Sequence, residues 1–227
     1  RVPVLVKMLA NAACEDDGFF KDFQLDEDGW EALHLVGWLH DCGKVTTPEY
    51  VVDKANKLET IYDRIHEVRT RFEVLKRDMQ IKYWEQVADG ADRHALREEL
   101  DQGLRQLDEE FTFVAGCNLG DELVTPEQVE RLEQIAKRTW TRTLDDRVGI
   151  SWEEEKRKAR LPSVELPVEE YVLADRIDHL IERTEGEQMP EDNPWGFKIT
   201  APEYRYNLGE VYNLKVGRGT LTPEERY

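Results

Sequence analysis

The chain has 227 residues, with 31 Lys or Arg against 49 Asp or Glu, so its formal charge is −18. Such an acidic surface repels phosphate backbones and anionic bilayers, which argues against a nucleic-acid polymer partner or adsorption to a membrane; a small anionic substrate stays open, because bound cations invert a field locally. Hydrophobic residues at 40%, with six Trp, eight Tyr and seven Phe, supply a packed core for one large domain or a domain plus an insertion, and no run approaches the ~18 apolar residues of a membrane span.

Val2, Leu5, Val6, Leu9, Ala12 and Ala13 recur at helical spacing with no capping residue before them, so the first helix reads as beginning in mid-stride. Asp26-Glu27-Asp28 opens a second helix through Leu39. Ile61, Ile65, Val68, Phe72 and Leu75 predict a long amphipathic helix from Leu58 to about Val87, and Leu96, Leu100, Leu104 and Leu107 another over Asp92 to Phe113. These two charge-rich helices suit an antiparallel hairpin, a surface for a homodimer or a protein partner. Thr125-Pro126-Glu127-Gln128 caps a helix carrying Val129, Leu132, Ile135, Ala136 and Trp140 on one face, and Ser151-Trp152-Glu153-Glu154 caps the next. Pro, Gly and Asn mark loops at 160–167 and 185–202 around a helix at Val168 to Arg183, and a short strand is expected near Glu210 to Val216. Thr222 starts a last helix, with Pro223 at its first position and Glu225 closing a capping box. The chain stops at Tyr227, about one turn later, and so reads as an internal piece of a longer protein. The class is all-α, mainly helical. Cys14, Cys42 and Cys117 are widely spaced and never form CxxC, which points to a reducing cytoplasm.

Chemistry concentrates in Leu33 to Lys44. Leu33, Val36, Gly37 and His40 lie at i, i+3, i+4 and i+7, placing the His40 ring on the buried face of the helix with Asp41 at its end. Imidazole and carboxylate together suit Mn, Fe, Zn or similar divalent ions. Gly43 relaxes the backbone, and Lys44, three residues past Asp41, brings an ammonium within reach of an anion held by the metals. His66, on the next long helix beside Ile65, Arg69 and Phe72, can turn toward the same centre.

His40-Asp41-Cys42-Gly43-Lys44-Val45-Thr46-Thr47-Pro48, then Lys54, Lys57-Leu58-Glu59-Thr60 and His66 within Tyr62 to Glu67, resemble the HD-GYP family of HD-domain phosphohydrolases, bacterial enzymes that hydrolyse cyclic di-GMP. The likeness spans Val2 to about Arg77 and resumes at Gly219 to Glu225. It implies an HD-domain helical core built from residues 1–77 and 208–227, interrupted by a mostly helical insertion at 78–207. It further implies two or more divalent metal ions, His40 and Asp41 as ligands with Asp41 bridging two ions, His66 as a further ligand, and Lys44 against the scissile phosphate of a cyclic dinucleotide. The family's remaining His ligands and its Gly-Tyr-Pro signature fall before Arg1 and after the helix at Thr222, so this piece holds part of the donor set. A catalytically silent module, binding a nucleotide or a partner through the insertion, is the competing reading; a hydrolase of another nucleotide phosphoester shares every ligand.

Other polar groups read as structural. His34 is expected to be a partly buried structural histidine, His94 and His179 solvated or capping, and Cys42 a small packed thiol. Asp145-Asp146-Arg147 and Asp175 to His179 resemble acid pairs but also form cheaply as exposed ion-pair networks. Asn193 to Phe197 and Tyr204 to Asn207 gather aromatics in loops that anchor the insertion to the core, with base stacking as the alternative.

Overall fold

The computed structural model describes residues 2–121, 123–187, 196 and 200–227. The chain is about 54% helical, with two small sheets among the described residues. No helix among the described residues is long and apolar enough to cross a membrane. The chain divides into two compact units, Arg1–Asp53 and Lys54–Tyr227.

In the first unit, helix α1 (Val2–Cys14) packs on α2 (Glu27–Leu39). Asp26 caps α2, its Oδ1 accepting the Gly29 N–H at 2.8 Å. The two helices touch where Gly37, the buried residue of α2, faces Pro3; a Cβ on Gly37 would lie 3.0 Å from the Pro3 Cα. A Gly37→Ala variant is expected to push the helices apart and destabilise this unit by an amount typical of overpacking, about 1–3 kcal/mol, seen as a lower melting midpoint by circular dichroism. A 3-10 turn (Cys42–Val45) and the short α3 (Glu49–Val52) follow.

The second unit is organised on α4 (Ile65–Ala88) and α5 (Arg93–Asn118). Lys76 meets Asp108, Phe72 stacks at 5.6 Å on Phe111, and Met79 lies over Gly103, so positions rise on one helix as they fall on the other and the pair is antiparallel, as expected from the pattern. Leu58, Val68, Phe72, Leu107, Val114 and Leu132 fill the core at this seam, each worth about 1.5–3 kcal/mol of transfer free energy. Helix α6 (Pro126–Ala136), with its capping box at Thr125 and Gln128, adds Leu132 and Ile135. Two antiparallel ribbons complete the unit: β1 (Thr139–Arg142) with β2 (Val168–Tyr171), and β3 (Leu180–Glu182) with β4 (Tyr204–Asn207). Helix α7 (Trp152–Lys158) lies between β1 and β2 in the chain, and α8 (Glu210–Leu214) and α9 (Pro223–Arg226) follow β4.

Several elements differ from expectation, each for a tertiary reason. The long helix begins at Ile65 rather than Leu58, because Asp63 spends its carboxylate on the Ile65 N–H and on the Asn56 and Asn118 amides, holding the preceding residues in a turn. Trp140 leaves helix α6 for β1, where it faces Glu170 across the ribbon. No helix spans Val168 to Arg183: the segment supplies β2, a 3-10 turn at Ile177–His179 and β3, and its Ala174 N–H and C=O are both taken by Glu210. Conversely, Glu210 to Leu214 is a helix rather than a strand. Ala174 C=O and the Asp175 carboxylate accept the N–H groups of Glu210 and Tyr212, supplying from a distant segment the capping that this short helix lacks locally. Tyr204 to Asn207, read as loop, is strand β4. The aromatic group at Asn193 to Phe197 lies outside the described residues apart from Gly196.

Candidate functional site

His40 is the C-cap of α2, its N–H still donating to the Val36 carbonyl at 2.9 Å. The backbone then turns at Asp41, whose carbonyl accepts the Lys44 N–H, while the Thr46 and Thr47 hydroxyls both donate to the Gly43 carbonyl. This tight exit from the helix brings three side chains together. The Asp41 carboxylate sits 3.3 Å from His40 Nε2 through Oδ2 and 3.1 Å from Lys44 Nζ through Oδ1.

One contact fixes the imidazole. His40 Nδ1 lies 2.9 Å from the Gly37 carbonyl oxygen, which only accepts, so Nδ1 carries the proton and Nε2 of the neutral ring presents its lone pair to Asp41. Two acceptors facing each other at 3.3 Å need a positive charge between or beside them; the Lys44 ammonium on the other carboxylate oxygen stands beside them, and a second ring proton or a bound cation between them would bridge the pair. Ligand atoms held about 2.1 Å from one ion at angles of roughly 90–109° stand about 3.0–3.4 Å apart. The donor pair therefore fits a divalent ion, and the bond to Gly37 is the orienting contact that metal-bound histidines usually make through their second nitrogen.

The setting differs from expectation. The His40 and Asp41 side chains are 41% and 51% exposed, not seated in an apolar wall, because α2 buries only the stripe at Gly37 against α1. His34 is exposed as well, its ring edge-on to Trp38, and the Cys42 thiol is exposed rather than packed. His66 belongs to the second unit, in the first turn of α4. Its Nδ1 lies 2.6 Å from the Arg69 guanidinium, which only donates, so Nδ1 accepts and the proton of the neutral ring resides on Nε2. Metal ligation through Nδ1 requires Arg69 to turn away. Among the described residues no three His, Cys, Asp or Glu side chains gather in a way that holds a metal ion, which leaves His40 and Asp41 as a two-donor pair.

The remaining motif residues pack together across a long stretch of sequence. Lys54, its side chain 1% exposed, pairs with Glu225 at 2.9 Å, and the Thr220 hydroxyl donates to the Lys54 carbonyl. Burial lowers the Lys54 pKa while Glu225 opposes the shift. Lys57 is buried with its ammonium on the Val216 and Leu214 carbonyls, at the C-terminal end of α8. The phrase around Lys54 and the phrase around Glu225 thus meet in one folded unit.

A second polar centre, left aside as surface ion pairs in the sequence, is half-buried. Asp146 receives Lys158 at 2.6 Å and Arg176 at 3.1 Å, with Arg142 at 3.5 Å; Asp178 binds Arg176 at 2.9 Å. His94, by contrast, is solvated as expected. Burial acts to raise the Asp146 pKa, but Lys158, Arg176 and Arg142 outweigh it and hold the group at about 2, below its ordinary 3.8. A depressed carboxylate stabilises the fold above its unfolded pKa, and that contribution disappears as pH falls through the folded value. Stability is therefore expected to drop between pH of about 4 and 2, and Asp146→Asn to flatten that part of a urea-midpoint-against-pH curve; an unchanged slope would count against the network. The alternation of acids and bases in these segments was visible, but nothing in their spacing foretold their convergence from β1, α7 and the 176–179 turn.

No protein-family model, no curated protein and no solved structure matches this chain.

Proposed function

We propose that the chain is part of an HD-GYP-like, metal-dependent phosphodiesterase of the cytoplasm that hydrolyses a cyclic dinucleotide, cyclic di-GMP, in bacterial signalling. One observation carries the reading: the Gly37 carbonyl pins the His40 ring so that its unprotonated nitrogen and the Asp41 carboxylate form a ready pair of metal donors, with the Lys44 ammonium on the far oxygen. The sequence likeness and the union of the Lys54 and Glu225 phrases in one folded unit support it. His40 and Asp41 would hold the metal. Two or more divalent ions, when bound, polarise a phosphodiester oxygen and acidify a water. Asp41 orients the imidazole and offers a second oxygen. Lys44 neutralises that carboxylate and presents donors to a non-bridging phosphate oxygen. The Thr46 and Thr47 bonds to Gly43 keep the turn closed, so Lys44 stays beside Asp41.

The direct experiment is metal analysis of the full-length protein together with chromatography of cyclic di-GMP incubated with Mn²⁺ or Fe²⁺. Linear dinucleotide or mononucleotide product, abolished by chelation, supports the assignment; an intact substrate in a metal-replete protein opposes it. A silent HD-like module, which binds a nucleotide or partner without hydrolysis, has its own support in the two-donor site and in Arg69 occupying the lone pair of His66. Cyclic di-GMP that binds and is recovered unchanged is the result expected of that module, and turnover of a different nucleotide phosphoester would redirect the substrate while keeping the ligands.

A further inference from the structure

Between α4, β1, α7 and the 176–179 turn the second unit forms an open cavity of about 590 Å³. We propose that this cavity binds a small molecule through an oxyanion, a phosphate or a carboxylate, held by Trp140, Arg157, Arg64 and His179. Its volume lies in the range of small-molecule sites, and its walls carry an excess of unspent N–H donors.

The acceptors are already committed. Asp146, Asp178, Glu170 and Glu210 each lie within ion-pair distance of Arg71, Arg142, Lys158 or Arg176, and Glu67 and Glu154 stand 3.7 and 3.8 Å from Arg71 and Lys158. The donors are not. Trp140 Nε1 is buried with no hydrogen-bond partner among the described residues. His179 accepts the Arg176 N–H at Nδ1, so its proton resides on Nε2, which bonds to no described residue; burial favours this neutral form. Arg157 spends Nε alone, on the Asp178 carbonyl at 3.2 Å. Arg64 spends Nε and Nη1 on the Leu58 and Leu208 carbonyls. Neither guanidinium has a carboxylate within 4.0 Å among the described residues; their direct hydrogen bonds go to main-chain carbonyls, and Glu210, Glu67 and Asp63 act on Arg64 from a distance.

Of these donors the buried one without an acceptor is Trp140 Nε1, which forfeits its hydration, and folded proteins seldom leave such a donor so. A multi-oxygen anion satisfies the indole, the imidazole and both guanidinium groups together, and charge-assisted bonds to Arg are the strong ones. An apolar guest leaves all four unmet, and a cation meets four Arg or Lys side chains that already claim the carboxylates. The cavity's mixed charge also confines it to small anions, because the flanking carboxylates repel a polyanionic strand.

The test is a two-dimensional ¹⁵N–¹H spectrum of the indole region of the intact chain, titrated separately with inorganic phosphate and with succinate, with Trp140→Phe identifying the Trp140 signal. Saturable movement of that signal with a dissociation constant on the order of 0.1–1 mM is expected for one of the two anions. Phosphate but not succinate identifies a phosphorylated ligand, and the converse a carboxylate. Arg157→Gln should weaken the same binding about tenfold or more in calorimetry, while Arg160→Gln, whose guanidinium pairs with Glu182 on the surface, should leave it unchanged. An indole signal that moves with neither anion overturns the proposal, as does binding of equal strength in Arg157→Gln. The wild-type titration decides even if a variant fails to fold.

Discussion

Asp41→Ala is expected to strip the protein of bound metal and lower turnover of cyclic di-GMP at least about a hundredfold, since even partners one step removed from a metal are worth 10–100-fold. The loss should be one of chemistry alone. Asp41 is half exposed, its carboxylate pairs among the described residues with its neighbours His40 and Lys44, and its removal strands no buried partner among them; stability should stay within about 0.5 kcal/mol of wild type. Circular dichroism and metal analysis of the same samples separate the two effects. An Asp41→Ala protein that turns over substrate like wild type would end the metal reading, and one that has unfolded would show Asp41 to be structural.

The largest effect on stability is expected at Glu210. Its carboxylate, 2% exposed, takes the Arg71 guanidinium at 2.8 Å and the Ala174 N–H at 3.0 Å, tying α4 to α8 and to the segment after β2. Glu210→Ala leaves the Ala174 N–H without its acceptor and the Arg71 guanidinium without its buried counter-charge, with the Val172 carbonyl as its remaining close acceptor. Removing one member of a buried pair costs about 3–5 kcal/mol, and for a body of this size that lowers the melting midpoint by about 6–20 °C. Glu67, 3.7 Å from Arg71 and half exposed, cannot replace a buried carboxylate. Adding Arg71→Ala should recover part of the loss, because the stranded charge goes with it. Additive losses in the double variant would show that the two residues act separately.

The same residue explains where sequence reasoning stopped. Glu210 is one charge among many in an acidic chain, and Val211, Tyr212 and Val216 favour a strand by local preference; the helix exists because Ala174 and Asp175, over thirty residues earlier, cap it. Val168 to Arg183 failed in the opposite direction, its apolar spacing suggesting a helix while β1 and Glu210 claimed its backbone. Elements whose partners are local were legible. Asp26, Thr125, Ser151 and Thr222 cap their helices, Thr125 and Thr222 with full capping boxes and Ser151, also read as a capping box, through the Glu154 N–H alone, and α4 and α5 pair along the faces marked by Phe72 and Leu107. At the candidate site the proximity of His40, Asp41 and Lys44 was readable from their spacing. Their exposure was not, since it depends on how little of α2 its neighbour α1 covers, and neither was the Gly37 bond, which needs the ring rotamer. Convergence of Trp140, Arg157 and His179 on one cavity was invisible for a simpler reason: each comes from a different element.

Central to the account is the protonation pattern of one ring, and ¹⁵N spectroscopy of histidine-labelled protein titrated with Zn²⁺ measures it directly. The His40 resonances should show Nδ1 protonated throughout, held by the Gly37 carbonyl, and Nε2 shifting as it takes the metal, with that shift absent from Asp41→Ala. Zn²⁺ arriving at Nδ1, or leaving the His40 ring untouched while binding elsewhere, would contradict it.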